Sequence, residues 1–392
     1  MIKTIKDLDL KNKRVLIRCD FNVPIKDGKI VDDNRIVASL ETIKYVLSQN
    51  TKVILFSHLG RIKEEADLKK NDLSVVAIRL SELLNRKVIF VNSTRGKELE
   101  TTIDNMSFGD IILVQNTRYE DLNGEKESSN DPELGKYWAS LGDVFINDAF
   151  GTIHRNHASN VGIATNLESG IGFLVSKELT ALKTLDNPER PYVVILGGAK
   201  VSDKIGVIDN LITKADYILV GGGMAFTFFK AQGFEIGKSL LEEDKISYCK
   251  DLLDKYSDKI ILPSSVAVGS DIMATSSKIK NIDNIDVDDM GLDIGPDSVS
   301  LFEKYLVNAK TVVWNGPLGV YENDIFKKAT LEILNFLVNN NIRTIIGGGD
   351  TAALVNENEY LKEKIYHVST GGGATLEYLE GKTLPGIAVL DK

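Results

Sequence analysis

Short apolar runs alternate with helical repeats along the whole chain. The first half carries runs at Val15–Arg18, Val53–Phe56, Val88–Val91, Ile111–Val114 and Val144–Ile146. The second carries Tyr192–Leu196, Tyr217–Val220, Lys259–Leu262, Thr311–Trp314, Thr344–Ile346 and Ile365–Val368. Unbroken apolar runs of this length, bounded by turns, read as strands covered on both faces. Between them, Ile36, Leu40, Ile43 and Leu47 recur at helical spacing. Ser74 stands where a cap for Val75–Leu84 is needed. Asp131-Pro132 opens Glu133–Leu141, with Gly142 past its end. Asp27-Gly28 reads as a tight turn. In the second half the spacing predicts helices at Asp203–Thr213, Glu242–Tyr256, Ser298–Asn308, Ile325–Val338 and Thr351–Asn356. The alternation predicts an α/β chain of two doubly wound, parallel-sheet (Rossmann-like) domains.

A break falls near the middle. Val175, Leu179 and Leu182 form a helical stripe in a stretch free of Gly and Pro, and Asn187-Pro188-Glu189-Arg190-Pro191 follows. This predicts a linking helix and hinge over residues 171–188, between a domain at 1–170 and a second at 189–380. Asp283–Asp293 is rich in aspartate but misses the calcium-loop spacing, and reads as a solvated loop.

Composition sets limits on this picture. A chain of 392 residues, 43% hydrophobic and 26% charged, is long enough for two globular domains. No apolar run reaches the ~18 residues of a membrane span. The opening MIKTIKDLDLKNKR lacks the apolar core of a secretory signal. With Cys19 and Cys249 alone, neither a disulfide framework nor a CxxC knuckle exists. The expectation is a reducing, cytoplasmic compartment without a membrane partner. A net charge of −9 argues against a nucleic-acid partner but not against small anionic substrates held in a local basic patch.

The candidate chemistry is unevenly distributed. Most arginines lie in the first half, and most glycines lie after residue 160. Arg35, Arg61, Arg118 and Arg155 all fall beside the ends of predicted strands. Guanidinium groups grip phosphate and carboxylate bidentately, so their convergence would recognise a small, highly anionic molecule; otherwise they are four unrelated surface arginines. In the second half, Gly197-Gly198-Ala199-Lys200, Gly221-Gly222-Gly223, Gly347-Gly348-Gly349-Asp350 and Gly371-Gly372-Gly373 each follow an apolar run. Such turns either let backbone N–H groups approach phosphate oxygens or only make tight strand-to-helix connections. Lys200 and Lys204, four apart at a predicted helix start, point at a phosphate or are solvated. Asp350 is placed to hold Mg²⁺ bridging phosphate oxygens, to cap a helix, or both. The P-loop, the dinucleotide fingerprint and the protein-kinase HRD loop are missing. His58, His154 and His157 lack a helical HExxH and a carboxylate partner, which favours anion contacts or polar packing over a metal.

At this level of detail the chain resembles the phosphoglycerate kinase family over nearly its whole length. The resemblance is carried by RCDFNVP (Arg18–Pro24), SHLGR (Ser57–Arg61), NTRY (Asn116–Tyr119), NDAFGTIHR (Asn147–Arg155) and GGAKVSDK (Gly197–Lys204). It continues through GGGMAFTF (Gly221–Phe228), GLDIGP (Gly291–Pro296), VWNGPLGVYE (Val313–Glu322), GGGDT (Gly347–Thr351) and STGGGA (Ser369–Ala374). Ile153 stands where the family usually has Ala. The resemblance implies phosphoryl transfer between 1,3-bisphosphoglycerate and ADP, giving 3-phosphoglycerate and ATP, with Mg²⁺, in a monomer with a hinge. It implies that the first domain binds the glycerate through Asp20, Phe21, Asn22, Arg35, His58, Leu59, Gly60, Arg61, Arg118 and Arg155. It implies a nucleotide site in the second domain at Gly198, Ala199, Lys204, Gly222, Gly291, Leu292, Asn315, Pro317, Glu322, Gly348, Gly349, Asp350 and Thr351. Of these, Glu322 reaches the ribose and Asp350 the metal. It further implies that the tail at 381–392 packs back on the first domain.

The chemistry fits such residues. Both nucleophiles, a phosphate oxygen of ADP and a carboxylate, are ionised at neutral pH, so no general base is needed. Positioning and electrostatics carry the catalysis. Arg35 and Lys200 are expected to clasp the transferring group, Lys204 to hold nucleotide phosphates, and Gly371, Gly372 and Gly373 to cradle phosphate at a helix start. A nicotinamide-dependent dehydrogenase is disfavoured by the missing fingerprint, and an exported binding protein by the missing signal.

Overall fold

Val15, Leu16 and Ile17 have no exposed surface, nor do Val53, Ile54 and Leu55 beside them. Only a strand covered by helices on both faces buries consecutive side chains in this way. The structure, a computed structural model, describes residues 2–391. The chain divides into two compact units: residues up to Thr180 together with those from Thr383 onward, and Ala181–Lys382.

In the first unit, six parallel strands run in the order Val88–Val91, Ile111–Val114, Lys52–Phe56, Arg14–Arg18, Val144–Asn147 and Ser169–Ile171. Arg18 is in register with both Phe56 and Asn147, so the carboxyl ends of the three central strands are level. The chain leaves Arg14–Arg18 toward one edge of the sheet and returns on its other side at Val144–Asn147. That reversal is the switch point where ligand crevices form in open α/β sheets. The short helix Pro385–Ala388 belongs to this unit. Gly386 N–H donates to the Ile153 carbonyl at 2.9 Å, and a Cβ at Gly386 would lie 2.8 Å from Ile153 Cγ1.

The second unit repeats the design: Ile260–Ile261, Tyr217–Val220, Tyr192–Leu196, Thr311–Asn315, Arg343–Gly347 and His367–Val368, all parallel. Asn315 is in register with Leu196 and Gly347, so these carboxyl ends are level too. An antiparallel sheet of Lys278–Asn281, Ser265–Gly269 and Met290–Ile294 is added, which the parallel α/β reading did not foresee. It corrects the reading of Asp283–Asp293 as a solvated loop: Asp293 lies in a strand and is buried. Ser74 is also corrected. It is inside the helix Ser74–Leu84 and not its cap, and its N–H is taken by Asp72 Oδ1 at 2.8 Å. Asp131 does cap Pro132–Ser140, accepting from Leu134 N–H at 2.8 Å.

Two buried carboxyls hold helix starts. Asp148 Oδ1 accepts from Val175 N–H at 3.3 Å, in the first turn of Phe173–Lys183. Asp293 accepts from Ala329 N–H at 3.1 Å, in the first turn of Lys328–Asn339. Burial pushes Asp148 up to about 7 and Asp293 up to about 8, against the helix N–H bonds that pull the other way. Both values exceed those of the unfolded chain, so the folded state binds more protons between them. The stability this contributes is complete below about pH 4 and is lost as pH rises through 7 and 8. Denaturant titrations across that window should show unfolding free energy falling with pH. Asp293→Asn should flatten the upper part of that slope, and an unchanged slope would contradict the assignment.

Candidate functional site

The loops after the level strand ends of the first unit are tied together by side chains. Asn116 Oδ1 accepts from the N–H groups of Leu59 at 3.2 Å and Arg118 at 3.1 Å, while its Nδ2 donates to the carbonyls of Leu59 and Asn71. Asn22 Oδ1 accepts from Gly60 N–H at 2.8 Å, and Ser57 Oγ accepts from Phe21 N–H at 2.8 Å. Gly60 has φ +59°, and a Cβ there would sit 2.2 Å from Asn71 Oδ1, so this close approach requires glycine.

Basic groups gather on this scaffold. Arg61, Arg118, Arg155 and His157 line one cavity of about 650 Å³. Arg118 donates to the Gly60 carbonyl at 2.6 Å, and its Nε is buried without a hydrogen-bond partner. Arg35 stands near the start of Asn34–Ser48 and donates to Asp20 Oδ2 at 2.8 Å. It is not among the residues lining the cavity of the other three, but its charge acts on His58. Burial, with the charges of Arg18, Arg118, Arg35 and His157, holds His58 well below the usual histidine value. Burial and Arg155 bring His154 down to about 4, and burial with Arg18, Arg118 and Arg155 brings His157 down to about 3. All three imidazoles are therefore neutral at pH 7, and the positive field comes from guanidinium groups. Phe21 and Leu59 turn their side chains into the hydrophobic core and leave only backbone at this edge.

In the second unit, backbone contacts lace the glycine loops together. Gly198 N–H donates to the Pro317 carbonyl at 2.9 Å, Gly222 N–H to Leu318 at 3.0 Å, and Met224 N–H to Gly198 at 3.0 Å. A Cβ on Gly197 would lie 2.1 Å from the Pro317 oxygen, and one on Gly291 would lie 1.8 Å from the Phe226 ring. Gly291 N–H is held by Ser239 Oγ at 2.9 Å, and Leu292 beside it is buried. Ala199 and Lys200 are exposed. Lys204 Nζ donates to Asn315 Oδ1, and burial lowers its ammonium against the pull of Asp203, Asp350 and Glu380. The two lysines do not share a helical face: the helix is Ile205–Leu211, and Lys204 N–H closes a turn on the Val201 carbonyl.

Asp350 lies inside the first turn of Gly349–Asn356, with Gly348 in the capping position, so it is not the cap. It is exposed and accepts a hydrogen bond from the Tyr321 hydroxyl, whose value is pushed up to about 12 by burial and by this carboxylate. Thr351 is buried, and its hydroxyl has no hydrogen-bond partner. Glu322 is exposed within the loop between Thr311–Asn315 and Lys328–Asn339. Gly372, with φ +44°, precedes the helix Gly373–Leu379, and Gly371 N–H is taken by Ser369 Oγ at 3.1 Å. Sequence reasoning named Asn116 only as part of the NTRY motif, without a role, and passed over Glu127 and Ser159. Their partners lie tens of residues away, and their residue types are common in loops.

A model of the phosphoglycerate kinase family matches residues 5–382. The chain is 59% identical over 389 residues to a phosphoglycerate kinase of Listeria monocytogenes, covering 98% of each. It is 56% identical over 396 residues to one of Fusobacterium nucleatum, covering 100% of this chain and 99% of that one. Among solved structures, phosphoglycerate kinase from Coxiella burnetii superposes with a TM-score of 0.88 at 39% identity, covering 100% of this chain and 99% of that one. The enzyme from Pyrococcus horikoshii superposes with a TM-score of 0.87 at 29% identity, covering 100% and 98%.

Proposed function

Because this chain belongs to the phosphoglycerate kinase family, we propose that its first unit holds the glycerate and its second the nucleotide. The reaction is the family's: reversible phosphoryl transfer from 1,3-bisphosphoglycerate to ADP, giving 3-phosphoglycerate and ATP, with a carboxyl group as acceptor in the reverse direction. The observation that carries the assignment of substrates is the cavity shared by Arg61, Arg118 and Arg155. Three guanidinium groups suit a ligand bearing a phosphate and a carboxylate. Asp20, Asn22, Arg35, His58 and the backbone at Phe21, Leu59 and Gly60 complete this site. On the second unit, Gly198, Ala199, Gly222, Leu292 and Pro317 surround the base, and Gly291 and Asn315 also bind the nucleotide. Glu322 takes the ribose, and Lys204, Gly348, Gly349, Asp350 and Thr351 take the phosphates.

The nucleophile is ionised in both directions, so no residue has to remove a proton. Arg35 and Lys200 neutralise the transferring group, and Lys204 holds the nucleotide phosphates. The glycine cradle Gly371, Gly372 and Gly373 adds N–H donors from Gly372 and Gly373, the Gly371 N–H being held by Ser369 Oγ. Exclusion of water from the reacting groups protects the acyl phosphate from hydrolysis. Mg²⁺ would come with the nucleotide as substrate and would supply positive charge against its phosphates, with Asp350 as the residue that would hold it. Among the described residues no group of three or more His, Cys, Asp or Glu is placed to hold a metal. A single exposed carboxylate, Asp350, suits an ion held mainly by phosphate and water. The enzyme works as a cytoplasmic monomer in this reading.

Calorimetric titration tests the division of labour. Arg118→Ala should weaken 3-phosphoglycerate binding by about tenfold or more and leave MgADP binding unchanged. Equal losses for both ligands would overturn the assignment.

A further inference from the structure

Behind His58 lies a chain of groups with almost no exposed surface. Arg18, Glu127 and Ser159 are fully buried, and His58 is 5% exposed. Arg18 Nε donates to Ser159 Oγ at 2.8 Å. Ser159 Oγ donates onward to Glu127 Oε1, and Ser159 N–H donates to Glu127 Oε2 at 2.8 Å. The same guanidinium reaches the Cys19 carbonyl through one terminal nitrogen and His58 Nδ1, at 3.3 Å, through the other.

Donor and acceptor roles in this chain follow from chemistry. A guanidinium has no acceptor, so the His58 Nδ1 that meets it must offer a lone pair. A neutral imidazole accepting at Nδ1 carries its proton on Nε2. Arg18 is itself a buried cation, and Glu127 is foremost among the charges that favour it. Glu127 satisfies both donors of Ser159 and frees the hydroxyl oxygen to face Arg18. Breaking either link leaves a buried guanidinium without its counter-charge or its acceptor, and such a group does not keep its orientation.

We propose that Glu127 and Ser159, acting through Arg18, are positioning residues that fix His58 as the neutral tautomer with its proton on Nε2. His58 then meets an anionic substrate as an N–H donor and never as a lone pair. The consequence for substrate rests on the reading above, in which His58 touches the glycerate. The tautomer itself does not depend on that reading.

The experiment uses the full chain labelled with ¹⁵N-histidine. Its four histidines give a spectrum simple enough to assign. Long-range ¹H–¹⁵N correlation at neutral pH should show His58 with an unprotonated Nδ1 and a protonated Nε2. Ser159→Ala removes the relay oxygen. Glu127→Gln leaves one acceptor facing the two donors of Ser159. Both variants should give a mixture of tautomers and raise KM for 3-phosphoglycerate about tenfold, with KM for the nucleotide unmoved. A wild-type proton on Nδ1 would overturn the proposal even if neither variant folds, and so would the wild-type tautomer persisting in both variants. Adding 3-phosphoglycerate separates this idea from the site reading. If the His58 signals stay still while the tautomer follows Ser159 and Glu127, the relay stands and the glycerate assignment falls.

Discussion

Arg35→Ala should lower kcat by about 10²- to 10³-fold while nucleotide binding stays intact. That is the usual cost of removing one donor aimed at charge that develops in the transition state. Arg35 suits this role because, among the described residues, its one ion pair is with Asp20, at 2.8 Å, and its side chain is 38% exposed. Its partner Asp20 is only 7% exposed, so removing Arg35 leaves a buried carboxylate unpaired and should lower the melting point; the rates are therefore compared well below the variant's unfolding transition. The loss should fall on kcat more than on either KM, because an interaction made mainly in the transition state leaves ground-state binding alone. Arg35→Lys keeps the charge but not the planar fork, and should recover only part of the rate. Steady-state kinetics for both substrates, with calorimetric MgADP binding, provide the check. A near-normal kcat would remove Arg35 from the transition state.

Gly197→Ala should damage the second unit out of proportion to one methyl group. The new Cβ would lie 2.1 Å from the Pro317 oxygen and 2.6 Å from the Gly316 oxygen. Both neighbours are backbone and cannot rotate away. The loop they form also accepts from Gly198 N–H, and the next residue accepts from Gly222 N–H, so a shift there disturbs both glycine turns. Overpacking of this kind costs about 1–3 kcal/mol. MgADP affinity should collapse with it. Gly349→Ala is the control. Its Cβ meets nothing within 4 Å, and its thermal midpoint should stay close to that of the wild type. Equal melting temperatures for the two variants would contradict the packing argument.

The parallel sheets were legible because their strands are covered on both faces. Tyr192–Leu196 and Ile111–Val114 have no polar interruption, and no other local structure of that length is so uniformly apolar. The third sheet was not legible. Lys278–Asn281 exposes most of its side chains and carries two lysines, so its sequence resembles a loop. The glycine turns and arginines were visible as motifs, because the level strand ends bring sequence-separated loops to one edge. Lys204 shows the limit of spacing arguments. Its distance from Lys200 suggested one helical face, but the Val201–Lys204 turn starts the helix a residue later. The pairing of Glu127 with Ser159 and of Ser159 with Arg18 crosses 32 and 141 residues, and leaves no local trace.

The most direct measurement is phosphoryl transfer by the purified wild-type chain, followed by mixing it with MgADP and 1,3-bisphosphoglycerate. The account predicts one ATP formed for each acyl phosphate consumed, with none when either substrate is withheld. Consumption of the acyl phosphate with release of inorganic phosphate, or no ATP at all, would contradict it.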